Sequence, residues 1–413
     1  MKVVGLITEY NPFHNGHEYH IEEAKRITGA DYVIVVMSGN FVQRGAPALI
    51  DKYNRTKMAL SCGADIVFEL PVCYATASAE FFALGAISLL DKLGIVNNLC
   101  FGSECGDILA LTSIANILVD EPIGYRNTLS SLIKEGKTFP AARMEAIKTF
   151  APHLDDSVLS SPNNILGIEY IKALIRLRST INPVTITRKV AEYHKQELSM
   201  LISSTISSAT AIRKALRDDI PISTLEQHVP NQVLDILHEE NNKSFPIYEN
   251  DYSLLLNYKL MQETSHTLTT YTDVSIDLAN RIKGINTIGL SFPMLAQGIK
   301  SRHLTLTRIN RILIHILLNL YTQNFESYNK SGYTQYARIL GFKKASTHLL
   351  RQIVKYNRIP VITKMGDATN LLSEIGLNML KEDVFAAHLY NQVVYHKYNV
   401  TLKDEYTRGV IVY

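Results

Sequence analysis

The chain has 413 residues, 46% hydrophobic and 20% charged, which suits two or three domains with a sizeable core and excludes a disordered chain. Its net charge of +3 is unevenly spread: residues 1–220 hold 22 basic and 23 acidic side chains, whereas residues 281–364 hold 14 basic ones and a single acid, Glu326. So large a local excess predicts a polyanionic partner for the C-terminal part, nucleic acid above all.

In chain order, Lys2–Ile7 reads as a buried strand whose apolar run is broken by Glu9 and the histidines before it could serve as a secretory leader. "ITEYNPFHNGHEYH", residues 7–20, follows, with a turn tightened by Pro12 and opened by Gly16 where a helix begins. His14, His17 and His20 are three apart. Successive steps of three drift around a helix axis, so the three rings cannot share one face, and a metal site is disfavoured. A helix start instead presents free N–H groups and about half a positive charge, which attract phosphate. Gly16 would let a nucleotide approach the backbone, and His14 and His17 could donate hydrogen bonds to phosphate oxygens as charge builds. His20 falls on "EYHIEEAKRI" beside Ile21 and Ala24, where a core role and a site role weigh equally.

Tyr32–Met37, Ile66–Leu70, Leu99–Phe101 and Val184–Thr187 read as further strands, alternating with helix-period segments. That alternation predicts an α/β fold, a doubly wound parallel sheet of the Rossmann-like kind, with ligands at the carboxyl ends of its strands. Cys62, Cys73, Cys100 and Cys105 form no Cys-x-x-Cys pair and read as small hydrophobes. In "ISSATAIRKAL", residues 206–216, Ser207, Ser208 and Thr210 place hydroxyls at a helix start, and Arg213 follows within its first turns, suited to phosphate.

Beyond the Asp218–Pro221 turn the strand signal fades and amphipathic helices dominate. The chain therefore divides into a catalytic nucleotide-binding domain, 1–218, and a mainly α-helical basic region, 219–413. The clearest helix there, Arg308–Tyr321, carries an apolar stripe of Ile309, Ile312, Leu313, Ile316, Leu317 and Leu320, with Thr305 or Thr307 as cap. Arg308, Arg311 and His315 lie opposite. Around it in sequence stand Arg281, Lys283, Lys300, Arg302, Arg338, Lys343, Lys344, Arg351, Lys355 and Arg358, with almost no acids to answer them. The greasy run Ile312–Leu320 is broken by His315 and Asn319 and falls short of a membrane span, so a soluble, cytoplasmic chain is expected.

These segments also carry a resemblance. "HNGH" after a first strand resembles the His-x-Gly-His element of the nucleotidyltransferase superfamily, relatives of class I aminoacyl-tRNA synthetases. "ISSATAIR" is similar to the Ile-Ser-Ser-x-x-Ile-Arg element that binds triphosphate from the opposite side. Asn15 stands where synthetases usually have an aliphatic residue, and only Lys214 represents their lysine pattern, which argues against an amino-acid synthetase. With "VVMSGNFVQRGAPALIDKYNRTKMAL", "FGSE" and "SSPNNILGIEY", the chain resembles the bacterial tRNA(Met) cytidine acetate ligases over essentially its whole length.

The resemblance implies an enzyme that activates acetate with ATP, releasing pyrophosphate, and passes the acetyl group to the exocyclic amine of the wobble cytidine of elongator tRNA(Met), giving N4-acetylcytidine. It assigns ATP to Ile7, Thr8, Glu9, Tyr10, Asn11, Pro12, Phe13, His14, Asn15, Gly16, His17, Glu18, Tyr19 and His20, and to Gly102, Asn163 and Arg188. His14, His17 and Arg213 would act in catalysis, with Ser207, Ser208 and Thr210 holding pyrophosphate and Mg2+ carried on the triphosphate. Gly102 after a strand leaves room for a nucleoside, Asn163 at a helix start suits a cap or an amide contact, and Arg188 ends a strand at the ligand edge. Two other readings stand beside this one: a small-molecule adenylyltransferase, which needs no basic segment, and a non-catalytic RNA-binding protein, which needs no phosphate motifs.

Overall fold

Apolar side chains occupy both faces of Val3–Thr8 (β1) and Tyr32–Ser38 (β2), as expected of central strands covered on two sides, and both are almost wholly buried. A computed structural model describes residues 1–152, 156–187, 208–301 and 304–413; Arg188, Ser207 and Arg302, singled out above, lie outside the described residues. The other strands are Phe41–Val42 (β3), Ala46–Pro47 (β4), Ile66–Leu70 (β5), Asn98–Ser103 (β6), Asn182–Thr187 (β7), Ala337–Phe342 (β8), Val361–Ile362 (β9) and Ile411–Val412 (β10). One sheet runs β10-β8-β5-β2-β1-β6-β7, with β9 also on β8, and β3 and β4 form a separate hairpin.

Every pair in the large sheet is parallel except β5 with β8. From β1 the chain winds outward through β2 and β5, then returns to build β6 and β7 on the other side. That reversal beside β1 is the topological switch point, where a crevice opens at the carboxyl ends. The five expected strands all form. Beyond residue 218 the chain is mainly helical, as expected, but the faded strand signal hid three strands, β8, β9 and β10, that complete the sheet. "ARILGF" hides its strand because Arg338 interrupts a short run, and β9 and β10 have only two residues each.

Arg338 is tolerated inside because partners meet it. It pairs with Glu69 (3.0 Å) and Glu405, while Lys52 pairs with Glu69 (2.7 Å) and Glu405 (2.8 Å), all four side chains being at most 4% exposed. One core, between the sheet and helices such as Ala79–Lys92 and Pro162–Arg176, takes in Tyr336, Ile339, Leu349 and Met379. Residues from both sides of position 218 thus share it. The opposite sheet face packs helices Asn15–Thr28, Lys52–Ser61 and Asn231–Glu240, and a third core joins helices between residues 253 and 317 to Glu374–Tyr398. The four thiols are free. Among the described residues no single helix is long and apolar enough to cross a membrane.

The clearest C-terminal helix spans Leu306–Leu317, with Thr305 Oγ1 accepting from the Arg308 N–H (3.3 Å). His315 does not belong to its open face. It is buried, its ring nitrogens against the carbonyls of Thr272 (3.2 Å) and Thr76 (3.0 Å). Three of the arginines in this basic segment are likewise answered in space by acids remote in sequence. Arg308 pairs with Asp273 (2.7 Å) and Arg358 with Asp91 (2.5 Å), beside the Arg338 cluster. Others lie at opposite ends of the sheet. Gly45 packs against the backbone of Asn310 and Arg311 on the carboxyl-end side, whereas the Lys343 N–H donates to the Asp65 carbonyl just before β5. Helix Thr347–Tyr356, with Arg351 and Lys355 exposed, packs its last residue on Gly94 ahead of β6, at the amino ends of the strands.

Candidate functional site

At the carboxyl ends of β1, β6 and β7 lies a cavity of about 350 Å³, within the roughly 300–1,000 Å³ of small-molecule sites. The loop after β1 builds one wall. Tyr10 takes a left-handed backbone (φ 49°), and its ring is buried against Phe13 (4.7 Å between centroids) and His17 (4.9 Å). Ile7, Thr8, Glu9, Tyr10, Asn11, His14, Gly16, His17, Tyr19 and His20 line the cavity. Pro12, Phe13, Asn15 and Glu18 do not. Phe13 serves the core, Asn15 Nδ2 donates to the Gln227 carbonyl (2.9 Å), and Glu18 lies beside Cys62, its carboxyl pushed up by burial and by Glu22.

The two histidines form a reciprocal cap. His14 is the N-cap of helix Asn15–Thr28, and its Nδ1 accepts from the Gly16 N–H (3.0 Å); His17 Nδ1 accepts from the His14 N–H (3.2 Å). Their rings stack at 3.7 Å. An Nδ1 that accepts carries no proton, so each neutral ring holds its proton on Nε2, a donor. This changes the expected chemistry of the helix start. The Asn15 N–H is taken by the His228 carbonyl (3.1 Å) and the His17 N–H by the His14 carbonyl (2.8 Å), so the first backbone donors are occupied rather than free. Each imidazole carries a donor of its own at Nε2.

Facing them is Arg213, on helix Ala209–Arg217, its Nη1 bound to the Asn11 carbonyl (2.8 Å) and Nη2 to Thr210 Oγ1 (3.0 Å). Burial, with Arg44 and Arg217 adding repulsion, lowers its pKa to about 10. It stays charged at neutral pH, in surroundings that a bound anion would relieve. Ser208 caps this helix by accepting from the Ala211 N–H (3.2 Å) and lines the cavity; Thr210 orients Arg213 without lining it.

Gly102, paired with Ile186 across β6 and β7, and Asn163 lie on the far wall. Asn163 is not a free-standing cap. Its Nδ2 donates to Glu104 Oε1 (2.6 Å), and the Asn164 N–H donates to Glu104 Oε2 (2.9 Å), so Glu104 caps helix Pro162–Arg176 from outside.

Sequence reasoning missed Gln43 and Arg44 at the β3–β4 turn, Phe82, Phe101, Leu166, Tyr170, Ile186 and Thr187, all lining the cavity. It also missed Arg55, fully buried behind it. That guanidinium donates to the carbonyls of Glu9 (2.7 Å), Ser38 (2.9 Å), Ile50 (3.0 Å) and Gly39, fixing the loops after β1 and β2 together. The signal available was a long polar block, "SGNFVQRGAPALIDKYNRTK", unusual between two buried strands. Among the described residues no cluster of three or more His, Cys, Asp or Glu side chains could hold a metal ion.

A family model described as HIGH Nucleotidyl Transferase matches residues 1–405. The tRNA(Met) cytidine acetate ligase of Acetivibrio thermocellus is 41% identical over 100% of both chains, and that of a Thermoanaerobacter species 42% identical over 94% of this chain and 95% of its own. Thermotoga maritima TmcAL, solved without ligand, superposes with a TM-score of 0.91 at 31% identity, covering 100% of this chain and 99% of its own. The same protein bound with alpha-thio ATP gives 0.89 at 31% identity over the same shares.

Proposed function

The chain belongs to the HIGH nucleotidyl transferases and, among them, to the tRNA(Met) cytidine acetate ligases, and from that premise we propose that it joins acetate to ATP and acetylates the wobble cytidine of elongator tRNA(Met). The observation that carries this reading is the pairing of two Nε2–H imidazoles, His14 and His17, with Arg213 across one cavity. Acetate oxygen attacks the α-phosphorus, and pyrophosphate leaves. The imidazole donors meet the charge that grows on the phosphoryl oxygens, and Arg213 holds the departing pyrophosphate. Gly102 and Asn163 contact the nucleoside, with Arg188 and Ser207 in the same set. Mg2+ would travel on the triphosphate with its own waters, because that ion binds ATP phosphates without a dedicated protein cage.

Residues 1–218 supply the adenylation site, and the exposed Arg44 on the cavity lining, with Arg311 packed behind its turn at Gly45, guides the anticodon loop in. A cytoplasmic location fits a reaction that consumes ATP and tRNA. The test is incubation of the full chain with ATP, labelled acetate and bulk tRNA, followed by nucleoside analysis. Label is expected in N4-acetylcytidine of elongator tRNA(Met). Turnover of ATP against a small phosphorylated acceptor with no labelled tRNA would favour a small-molecule adenylyltransferase instead.

A further inference from the structure

The triphosphate and the acceptor base cannot both use the whole cavity lining, and charge separates them. Glu9 is the one acid among the described lining residues. A carboxylate repels both the triphosphate and acetate, so it is misplaced as a nucleotide contact although the phosphate-binding loop includes it. It is nevertheless held with care. Arg55 grips its carbonyl (2.7 Å), and its Oε1 accepts from the Gln43 N–H (2.8 Å). Arg213 and Tyr170 line the same cavity as Glu9, and the Glu9 charge acts on both.

Gln43 supplies the second observation. Its Nε2 is buried in the cavity wall and has no hydrogen-bond partner among the described residues. An unmet buried donor is destabilising, and a ligand acceptor would relieve it. The cavity wall therefore offers a carboxylate acceptor and an amide donor from neighbouring loops, and the aromatic residues Phe82 and Tyr170 line the same cavity. Cytosine matches it: N4–H donates, which carboxylates accept, and N3 and O2 accept. Uracil presents O4 where cytosine has its amine, setting a lone pair against the carboxylate.

We propose that Glu9 and Gln43 form the cytosine subsite, Glu9 accepting the N4 proton and Gln43 Nε2 donating to N3 or O2. This rests on the acetate-ligase reading above. N4 attacks the acetyl carbonyl carbon and a C–N bond forms. The C–O bond to the adenylate breaks, AMP leaves with the electron pair, and the proton shed by N4 passes to the Glu9 carboxylate and then to water. Glu9 is thereby the general base and, with Gln43, the reader of cytidine against uridine.

The experiment measures both half-reactions on the purified full chain: acetate-dependent ATP–pyrophosphate exchange, and acetyl transfer to elongator tRNA(Met). Glu9→Gln should lower transfer roughly a hundredfold, the usual worth of a positioned base, and at least tenfold more than it lowers exchange. Because the amide can donate to O4, the same variant should be inhibited at least tenfold more strongly than the native chain by tRNA carrying uridine at the wobble position. Gln43→Ala keeps the backbone N–H that holds Glu9 and should raise the KM for tRNA more than that for ATP. Parallel loss of exchange and transfer in Glu9→Gln would overturn the proposal by returning Glu9 to the nucleotide half, and so would unaltered transfer. If the native chain itself shows no acetate-dependent exchange, the acetate-ligase reading falls rather than the subsite alone.

Discussion

His14 and His17 each use Nδ1 on a backbone N–H and keep Nε2–H as a donor, so one ring does two jobs: capping a helix and meeting phosphate. The jobs separate by substitution. Asn is a strong N-cap but lacks a donor at the Nε2 position, so His14→Asn should melt close to the native temperature and lose about a hundredfold in acetate-dependent exchange. His14→Ala should lose the same activity and, in addition, about 0.5–2 kcal/mol of stability, read from thermal or denaturant melts. The histidines were legible in the sequence because Pro12, Gly16 and the preceding strand bracket them. Their tautomer was not, since it follows from which nitrogen faces the backbone. Nor was the role of Glu9 distinguishable from that of its neighbours until Arg55 and Gln43 were seen to hold it.

The element that matters most beyond the parallel strands is the β3–β4 hairpin. Gly45 closes its turn, the N–H donating to the Val42 carbonyl (3.0 Å), and leaves Gln43 and Arg44 at the tip facing the cavity. Its φ is +73°, and a Cβ there would stand 2.2 Å from the Arg311 backbone nitrogen. Gly45→Ala should therefore destabilise by roughly 1–3 kcal/mol and push the tip away from helix Leu306–Leu317. Acetyl transfer should fall further than pyrophosphate exchange, a split that half-reaction assays would reveal. The parallel strands were readable because continuous apolar runs bounded by turns leave few alternatives. The hairpin was not, because strands of two residues carry no period.

At the scale of the molecule, one buried charge cluster ties the C-terminal residues to the sheet. Lys52 and Arg338 hold the Glu405 carboxyl at about 2, below its ordinary 4.5. A depressed carboxylate stabilises above its unfolded pKa, and that contribution fades as pH falls from 4.5 toward 2. Glu405→Gln should cost about 3–5 kcal/mol near neutral pH, because it leaves buried cations short of a partner. The gap in melting temperature between native chain and variant should narrow through the same acidic window. For tRNA, log affinity should fall with log salt by roughly 0.7–0.9 per phosphate contact. Arg44→Ala should lower that slope by about one contact, whereas Arg351→Ala and Lys355→Ala should leave it alone. Those two side chains sit a strand length away, roughly 15–20 Å at about 3.3 Å per residue, at the opposite end of the sheet.

The sequence by itself determined the parallel sheet, the place of the phosphate-binding loop after its first strand, and the presence of Arg213 opposite. Each depends on neighbours within a few residues: apolar runs, a turn, a helix start. Only the tertiary structure decided which charges remain available. Asp273, Asp91, Glu69 and Glu405 neutralise arginines far from them in the chain, and β8 brings Arg338 into the sheet beside Glu69. Counting charge along a sequence cannot see this, because ion pairs form where side chains meet in space, within about 4 Å, whatever number of residues separates them.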